Sequence, residues 1–413
     1  MAAADVNLIA SGVGAALQGF LQFLLVGSLP DWLQPVWFLF AGLAVGLAIL
    51  AAIWGVLRLA WPSVARELAE ILLQGLSRPL ILASVLPAAL AVIGIPLAPL
   101  DGFVTSAGQW SDNARLLAGT AASLLGIVTL YAALHIVFPK VAVIALTTAK
   151  EGMAQPLFWV CLGLGGFALI LFTWIPYLTF GDDIKMLKDT GLVLIMILSI
   201  VLALWNASQS VASEIEGRTA LTLLSKPIGR RQFIIGKFLG ILGPLVVLFF
   251  VLGIVFLGTV SYKVIYDIRE GSGVRATDTL TLADICRMEM VQIVPGLALS
   301  FMEAAILAAI SVAISTRLPL LANLLICFAI YVVGHLVPLL VNSAVGKLEI
   351  VQFVGQLIAT IFPVLDHFNI QPAVAGGKVV PASYLLVSAG YCGLYCCFAL
   401  VVALLLFEDR DLA

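Results

Sequence analysis

Residues 213–240 read SEIEGRTALTLLSKPIGRRQFIIGKFLG and gather two acids and five basic side chains between two long apolar runs. Charge at that density, in a chain that is otherwise mostly hydrocarbon, fits a docking surface. A solvated loop obeying the tendency of basic residues to collect on the cytoplasmic side is the plainer alternative. Elsewhere the groups able to do chemistry are few. Glu303 falls near the middle of an apolar run, where an unpaired acid costs about 2.5–3.5 kcal/mol to insert, so it must face protein or water. His335 on the next run is a conceivable partner, although the depths assigned from the run boundaries differ. Asn206, Ser208, Gln209 and Ser210 form a polar patch at the end of another run, lining an entry vestibule or bonding neighbouring helices. Asn206, Gln209, Glu303 and His335 are therefore the candidates for a polar path through the apolar runs.

Nucleophilic, metal and nucleotide chemistry find no constellation in the sequence. The six cysteines lack metal-ligand spacing: Cys392, Cys396 and Cys397 fall inside the last apolar run, and Cys286 lies in a polar loop without an obvious partner. His135 sits near a membrane end, and Asp366 with His367 forms a lone pair in an outer loop. A phosphate-binding Gly-x-x-x-x-Gly-Lys-Ser/Thr loop is absent, because Gly236-Lys237 is followed by Phe238 and lacks the earlier glycine. No cofactor is expected in this chain.

The elements that carry these residues follow from composition. Of 413 residues 62% are hydrophobic and only 11% charged, too little polar surface to coat a soluble globule. Runs of about 20 apolar residues, each long enough to cross a hydrocarbon core of roughly 30 Å as a helix, recur along the chain. The alternating pattern of a barrel is missing, so the expected fold is an all-α polytopic membrane protein. The formal net charge of -2 says little about partners, and no nucleic acid is expected among them.

Spans are expected near residues 6–29, 36–61, 80–100, 116–138, 157–178, 192–212, 233–260, 291–315, 320–341 and 384–407. Asn7, Gln18 and Gln22 interrupt the first, which could instead lie along the interface. The first residues lack the basic start of a cleavable signal, so that stretch is expected to be retained. With residues 213–233 placed inside, alternation also puts Arg58, Arg66, Arg78, Lys140, Lys150, Arg317 and Arg410 inside, and both termini become cytoplasmic. Residues 101–113 then face outward with two aspartates and no basic residue. Lys185 and Lys188 fall outside among Asp182, Asp183 and Asp189.

Two outer segments are expected to be ordered. Thr281 and Asp284 have capping-box spacing within an outer loop from 263 to 290, suggesting a small folded element above the membrane. A helical stripe of Leu348, Val351, Val354, Leu357, Ile358 and Ile361 suggests a re-entrant or interfacial helix at about 347–363. In the charged loop, Glu214 and Arg218 support a continuing helix by their i, i+4 spacing. Pro227 and Gly229 then impose a bend before Arg230 and Arg231.

The order Glu214, Glu216, Gly217, Thr219, Leu223-Leu224-Ser225, Pro227, Arg230, Gly236-Lys237 resembles the corresponding loop of ABC-2-type transporter permeases. It is most similar to the group that includes the nitrous-oxide-reductase maturation and gliding-motility permeases. Arg218 is inserted where many relatives place Thr directly after Gly. The resemblance covers residues 139–407. It implies a six-span core in 139–413, opened by a cytoplasmic elbow helix carrying Lys140, Lys150 and Glu151, with residues 1–138 as an added bundle of three or four helices.

The resemblance further implies the transport subunit of an ATP-driven exporter in a bacterial inner membrane, without an ATPase site of its own. Two copies of a separate ATPase subunit, carrying ATP and magnesium, would dock on Glu214, Glu216, Gly217, Thr219, Lys226, Pro227, Arg230, Arg231, Gly236 and Lys237 and on the elbow. A second permease copy or a paralogue would complete the assembly in the bilayer. The competing reading is an ATP-independent membrane enzyme or a scaffold for a surface assembly.

Overall fold

Proline and charge, rather than hydropathy alone, set the helix ends in the computed structural model, which describes residues 30–60, 121, 125, 134–175, 183–212, 229–269, 282–342, 362–370, 373–374 and 380–408. The helices are α1 Leu33–Ala60, α2 Pro139–Ala154, α3 Pro156–Trp174, α4 Asp183–Ala207, α5 Arg230–Arg269, α6 Leu282–Ser315, α7 Leu320–Asn342 and α8 Ala382–Glu408. A π-helical turn, Ser208–Ala212, ends α4, and a 3-10 turn, Leu365–Phe368, precedes α8. No strand occurs among the described residues.

Six of these helices are long and apolar enough to cross a membrane, and α7 contributes a shorter apolar stretch, Leu320–Leu336. The molecule is an all-α polytopic membrane protein. The spans expected near 36–61, 157–178, 192–212, 233–260, 291–315, 320–341 and 384–407 all appear as helices, whereas those near 6–29 and 80–100 and most of 116–138 lie outside the described residues.

Pro156 has no amide hydrogen and forbids helix in the residue before it, so Gln155 is extended at φ -69°, ψ 141°. The chain therefore breaks between α2 and α3. Both segments pack along α5: Val141 and Ile144 of α2 lie beside Gly236, and further along Gly165 of α3 lies beside Leu252. Trp174, at the end of α3, reaches Tyr262 with ring centroids 6.3 Å apart. Trp32, just before α1, meets Tyr262 edge-on at 5.8 Å, and its carbonyl accepts a hydrogen bond from Ser261 Oγ. Tyr262 thus marks one end of the bundle. Arg230 marks the other, where Phe233 stacks on Phe407 of α8 at 5.8 Å.

The helices α5 and α6, of 40 and 34 residues, run about 60 and 51 Å, well beyond a hydrocarbon core of roughly 30 Å. This corrects the expected outer loop: residues 263–269 and 282–290 are helix, and only 270–281 lie outside the described residues. A helix does begin next to Thr281, but it is the start of α6 rather than a separate small element, and Cys286 is a buried helical residue whose thiol donates to the Ser261 carbonyl. Hydropathy loses the helices there because charges enter. Those charges are paired: Lys188 of α4 binds Glu289 and Gln292 of α6, and Lys263 of α5 lies 3.4 Å from Asp183 of α4 and 3.4 Å from Asp267 one turn along its own helix.

Close approach of α2 to α5 depends on the absence of side chains. A Cβ at Gly240 would sit 2.5 Å from Thr148 Cβ and 2.7 Å from the Ala145 carbonyl, whereas one at Gly258 would meet nothing within 4 Å. Gly240→Ala should therefore destabilise the protein by about 1–3 kcal/mol, while Gly258→Ala leaves stability unchanged or slightly raised. Thermal unfolding of the two variants in detergent, followed by tryptophan fluorescence, measures the difference.

Candidate functional site

The Arg230 end brings together α2, the start of α5, the turn between α6 and α7, and the end of α8. Arg230 and Arg231 are exposed, and the Arg230 guanidinium lies 6.0 Å over the Phe407 ring. Arg317 Nε donates to the Leu406 carbonyl at 2.8 Å, satisfying an acceptor in the last turn of α8. Lys140 and Glu151 are exposed on α2 and Lys150 is half-buried. Arg230, Arg231, Arg317, Lys140 and Lys150 thus gather at this end with Glu151, whereas Lys188 and Lys263 at the Tyr262 end pair with Glu289, Asp183 and Asp267.

Two residues expected on the docking face are packing residues instead. Lys237 is buried with its Nζ 5.8 Å over the Phe233 ring, and Gly236 forms the seat for Ile144 of α2. Glu214, Glu216, Gly217, Thr219, Lys226 and Pro227 lie outside the described residues.

Within the bundle, α6 and α7 form an antiparallel pair around residues 316–319. Glu303 stands twelve residues before Ser315 and His335 twelve residues after Asn323, so equal rise of about 18 Å carries both to the same level. The unequal depths read from run boundaries are thereby corrected. His335 Nε2 lies 3.5 Å from Glu303 Oε1, and Nδ1 lies 3.1 Å from the Tyr331 carbonyl. A carbonyl only accepts, so Nδ1 carries a hydrogen. The 3.5 Å separation is an ion-pair distance, and Glu303 Oε1 makes no hydrogen bond among the described residues. Glu303 is almost wholly buried, and His335 keeps partial exposure.

Beside this pair the chain returns as irregular backbone. A Cβ on Gly334 would be 2.8 Å from the Pro363 carbonyl and 2.9 Å from Leu365, so residues 363–365 lie at the level of Gly334. Non-helical backbone at such depth needs partners from protein. Val364 N–H donates to Tyr391 Oη, and Tyr384 Oη donates to the His367 carbonyl. Asp366 and His367 are exposed. Most of the stripe at 347–363 lies outside the described residues.

The polar patch at the end of α4 divides. Ser208 faces Asn323, whose Nδ2 donates to Ser208 Oγ and Ser311 Oγ at 2.6 Å and to Ser315 Oγ at 3.2 Å. Asn206 and Ser210 face α2 and α5, with Thr148, Gln155 and Pro244 around them. Gln209 is half-buried. Sequence reasoning missed Asn323, which ties three helices together. Its signal was the presence of an amide in an otherwise apolar stretch.

With this geometry in view, the family comparison is specific: the description "ABC-2 family transporter protein" matches residues 140–412. The chain belongs to the ABC-2 transporter family. Membership makes this protein a membrane component of an ABC transporter. The matched region opens within α2 and closes past α8, enclosing every polar cluster described above. A comparison with curated proteins finds no match.

The buried Lys188–Glu289 pair, 2% and 22% exposed, gives a direct test of what holds the Tyr262 end. Lys188→Met strands Glu289 and should cost about 3 kcal/mol, whereas Lys188→Met with Glu289→Leu should recover most of that loss. Chemical or thermal unfolding of the single and double variants separates the two outcomes.

Proposed function

We propose that this protein is the permease subunit of an ATP-driven exporter, moving its substrate with energy supplied by a separate ABC ATPase. The observation that carries the reading is the cluster of basic residues at one end of the bundle. Exposed Arg230 and Arg231 stand there at the start of a 40-residue helix that reaches the opposite end without a break. A push on that end is delivered along a rigid rod of about 60 Å. The excess of basic residues supports placing this end in the cytoplasm, with the α8 terminus beside it. The loop preceding Arg230 carries the order of residues that resembles the nitrous-oxide-reductase maturation and gliding-motility permeases, which supports a place in that group.

Two ATPase subunits would grip the 213–231 loop and the exposed face of α2. ATP binding would close them, and a paired permease would change its packing between inward-facing and outward-facing arrangements. A second copy of this chain or a paralogue completes the pore. The bacterial inner membrane suits this architecture. Within the core, Glu303 and His335 are the polar pair that a substrate passing between α6 and α7 would meet, while Gln209 lies nearer the entry end.

Reversing the charges with Arg230→Glu and Arg231→Glu should release the ATPase subunit from the complex, with co-purification falling at least tenfold and the permease still folded. Retention of the ATPase at the original stoichiometry would sink the docking assignment. Glu303→Gln keeps volume and hydrogen bonding but removes the exchangeable proton. Substrate-stimulated ATPase activity in proteoliposomes should then lose most of its pH dependence while basal turnover persists.

A further inference from the structure

Four features converge where α2, α4 and α5 meet. Pro156 breaks the chain at Gln155, and Pro244 sits inside the continuous α5, where it deprives the Gly240 carbonyl of its usual helical donor. The end of α4 winds as a π-turn from Ser208 to Ala212, a form concentrated at functional sites. Finally, five side-chain atoms are buried there without a hydrogen-bond partner: Thr148 Oγ1, Gln155 Oε1, Asn206 Oδ1, Asn206 Nδ2 and Ser210 Oγ. Thr148, Asn206 and Ser210 are each more than nine-tenths buried. All four residues line one crevice with Glu151, Gly152, Ile241 and Pro244, partly open to solvent and too narrow as it stands to admit a water molecule.

Orphaned polar atoms in such number are not a resting arrangement. Each costs about 1–3 kcal/mol when left unpaired, and replacing them with apolar groups would remove that cost. Their chemistry indicates what completes them. Oxygen dominates the lining, the only charged side chain is the carboxylate of Glu151, and no basic residue takes part. The space runs thinly between side chains, too narrow for an organic group. Hard cations are held by oxygen ligands of this kind, and transporters use interrupted helices near the membrane to hold sodium. Pro244 lies 18 residues before Tyr262, about 27 Å along the helix, so the crevice sits near the membrane face at the Arg230 end.

We infer that this crevice is a binding site for a sodium-sized monovalent cation, held by Thr148 Oγ1, Gln155 Oε1, Asn206 Oδ1 and Ser210 Oγ with Glu151 supplying the charge. The site joins α2 and the α2–α3 break to α4, against the Ile241–Pro244 stretch of α5. Cation occupancy therefore fixes the elbow helix against the transport helices. This inference does not depend on the identity of the substrate or on ATPase docking, and the binding measurement needs neither.

The test uses the full-length protein in detergent, unfolded thermally at constant ionic strength in choline, lithium, sodium or potassium chloride. Sodium should raise the transition by about 2–5 °C over choline in a saturable manner. Asn206→Leu should match or exceed the wild-type transition in choline, because two orphaned atoms are gone, and should abolish the sodium shift. Gly152→Ala should also abolish it, since the added Cβ would lie 3.3 Å from Asn206 Nδ2 and 2.8 Å from Pro244 Cγ. If Asn206→Leu does not fold, Ser210→Ala replaces it with the same expected loss of the shift. Identical transitions in all four salts, a shift by potassium alone, a sodium shift that survives these substitutions, or a large loss of stability in choline for Asn206→Leu would overturn the inference.

Discussion

A polar group inside a hydrocarbon layer has no water to turn to, so every one must find its partner within the protein. That constraint organises the whole bundle. Asn323 reaches Ser208 and Ser311 across two helix contacts, Glu303 faces His335, and Lys188 and Lys263 are neutralised where α4, α5 and α6 emerge. Apolar side chains make helices soluble in lipid but say little about which neighbours they choose. The polar pairs remove that freedom, since a helix rotated by a third of a turn would strand them.

The same logic explains how an irregular segment can sit deep in the bundle. Residues 363–368 are held by hydroxyls of Tyr384 and Tyr391, spaced seven residues apart on one face of α8. Two tyrosines thus supply the bonds that water would supply to a surface loop. The crevice at Asn206 is the counter-example, with five buried atoms left unpaired. Its exception to the rule is what marks it as a place where something else belongs.

Length adds a geometric consequence. At about 60 Å the continuous α5 is longer than a hydrocarbon core is thick, and the break at Gln155 lets α2 and α3 follow it as two segments. Glycine at position 240 brings α2 within backbone distance of α5, so the two helices pack without side chains between them there. The stacked Phe233 and Phe407 tie the same end of α5 to α8.

Much of this was legible beforehand. Composition determined a membrane protein, apolar runs placed the described spans to within a few residues apart from their charged extensions, and the ordered motif at residues 214–237 led to the family that the matched region establishes. Lys263, Asp267 and Glu289 misled, because a charge read alone signals solvent, whereas Glu289 and Lys263 pair with Lys188 and Asp183 across helices and Asp267 pairs with Lys263 along α5. Lys237 misled for the related reason that a basic residue in a charged segment was assigned to the surface. Hydropathy is a property of one helix and is written in the sequence; partnership between Glu303 and His335, or among Asn206, Ser210 and Thr148, depends on how helices turn toward each other. That rotation is fixed only when all the polar groups are satisfied at once, which is why tertiary structure alone decided it.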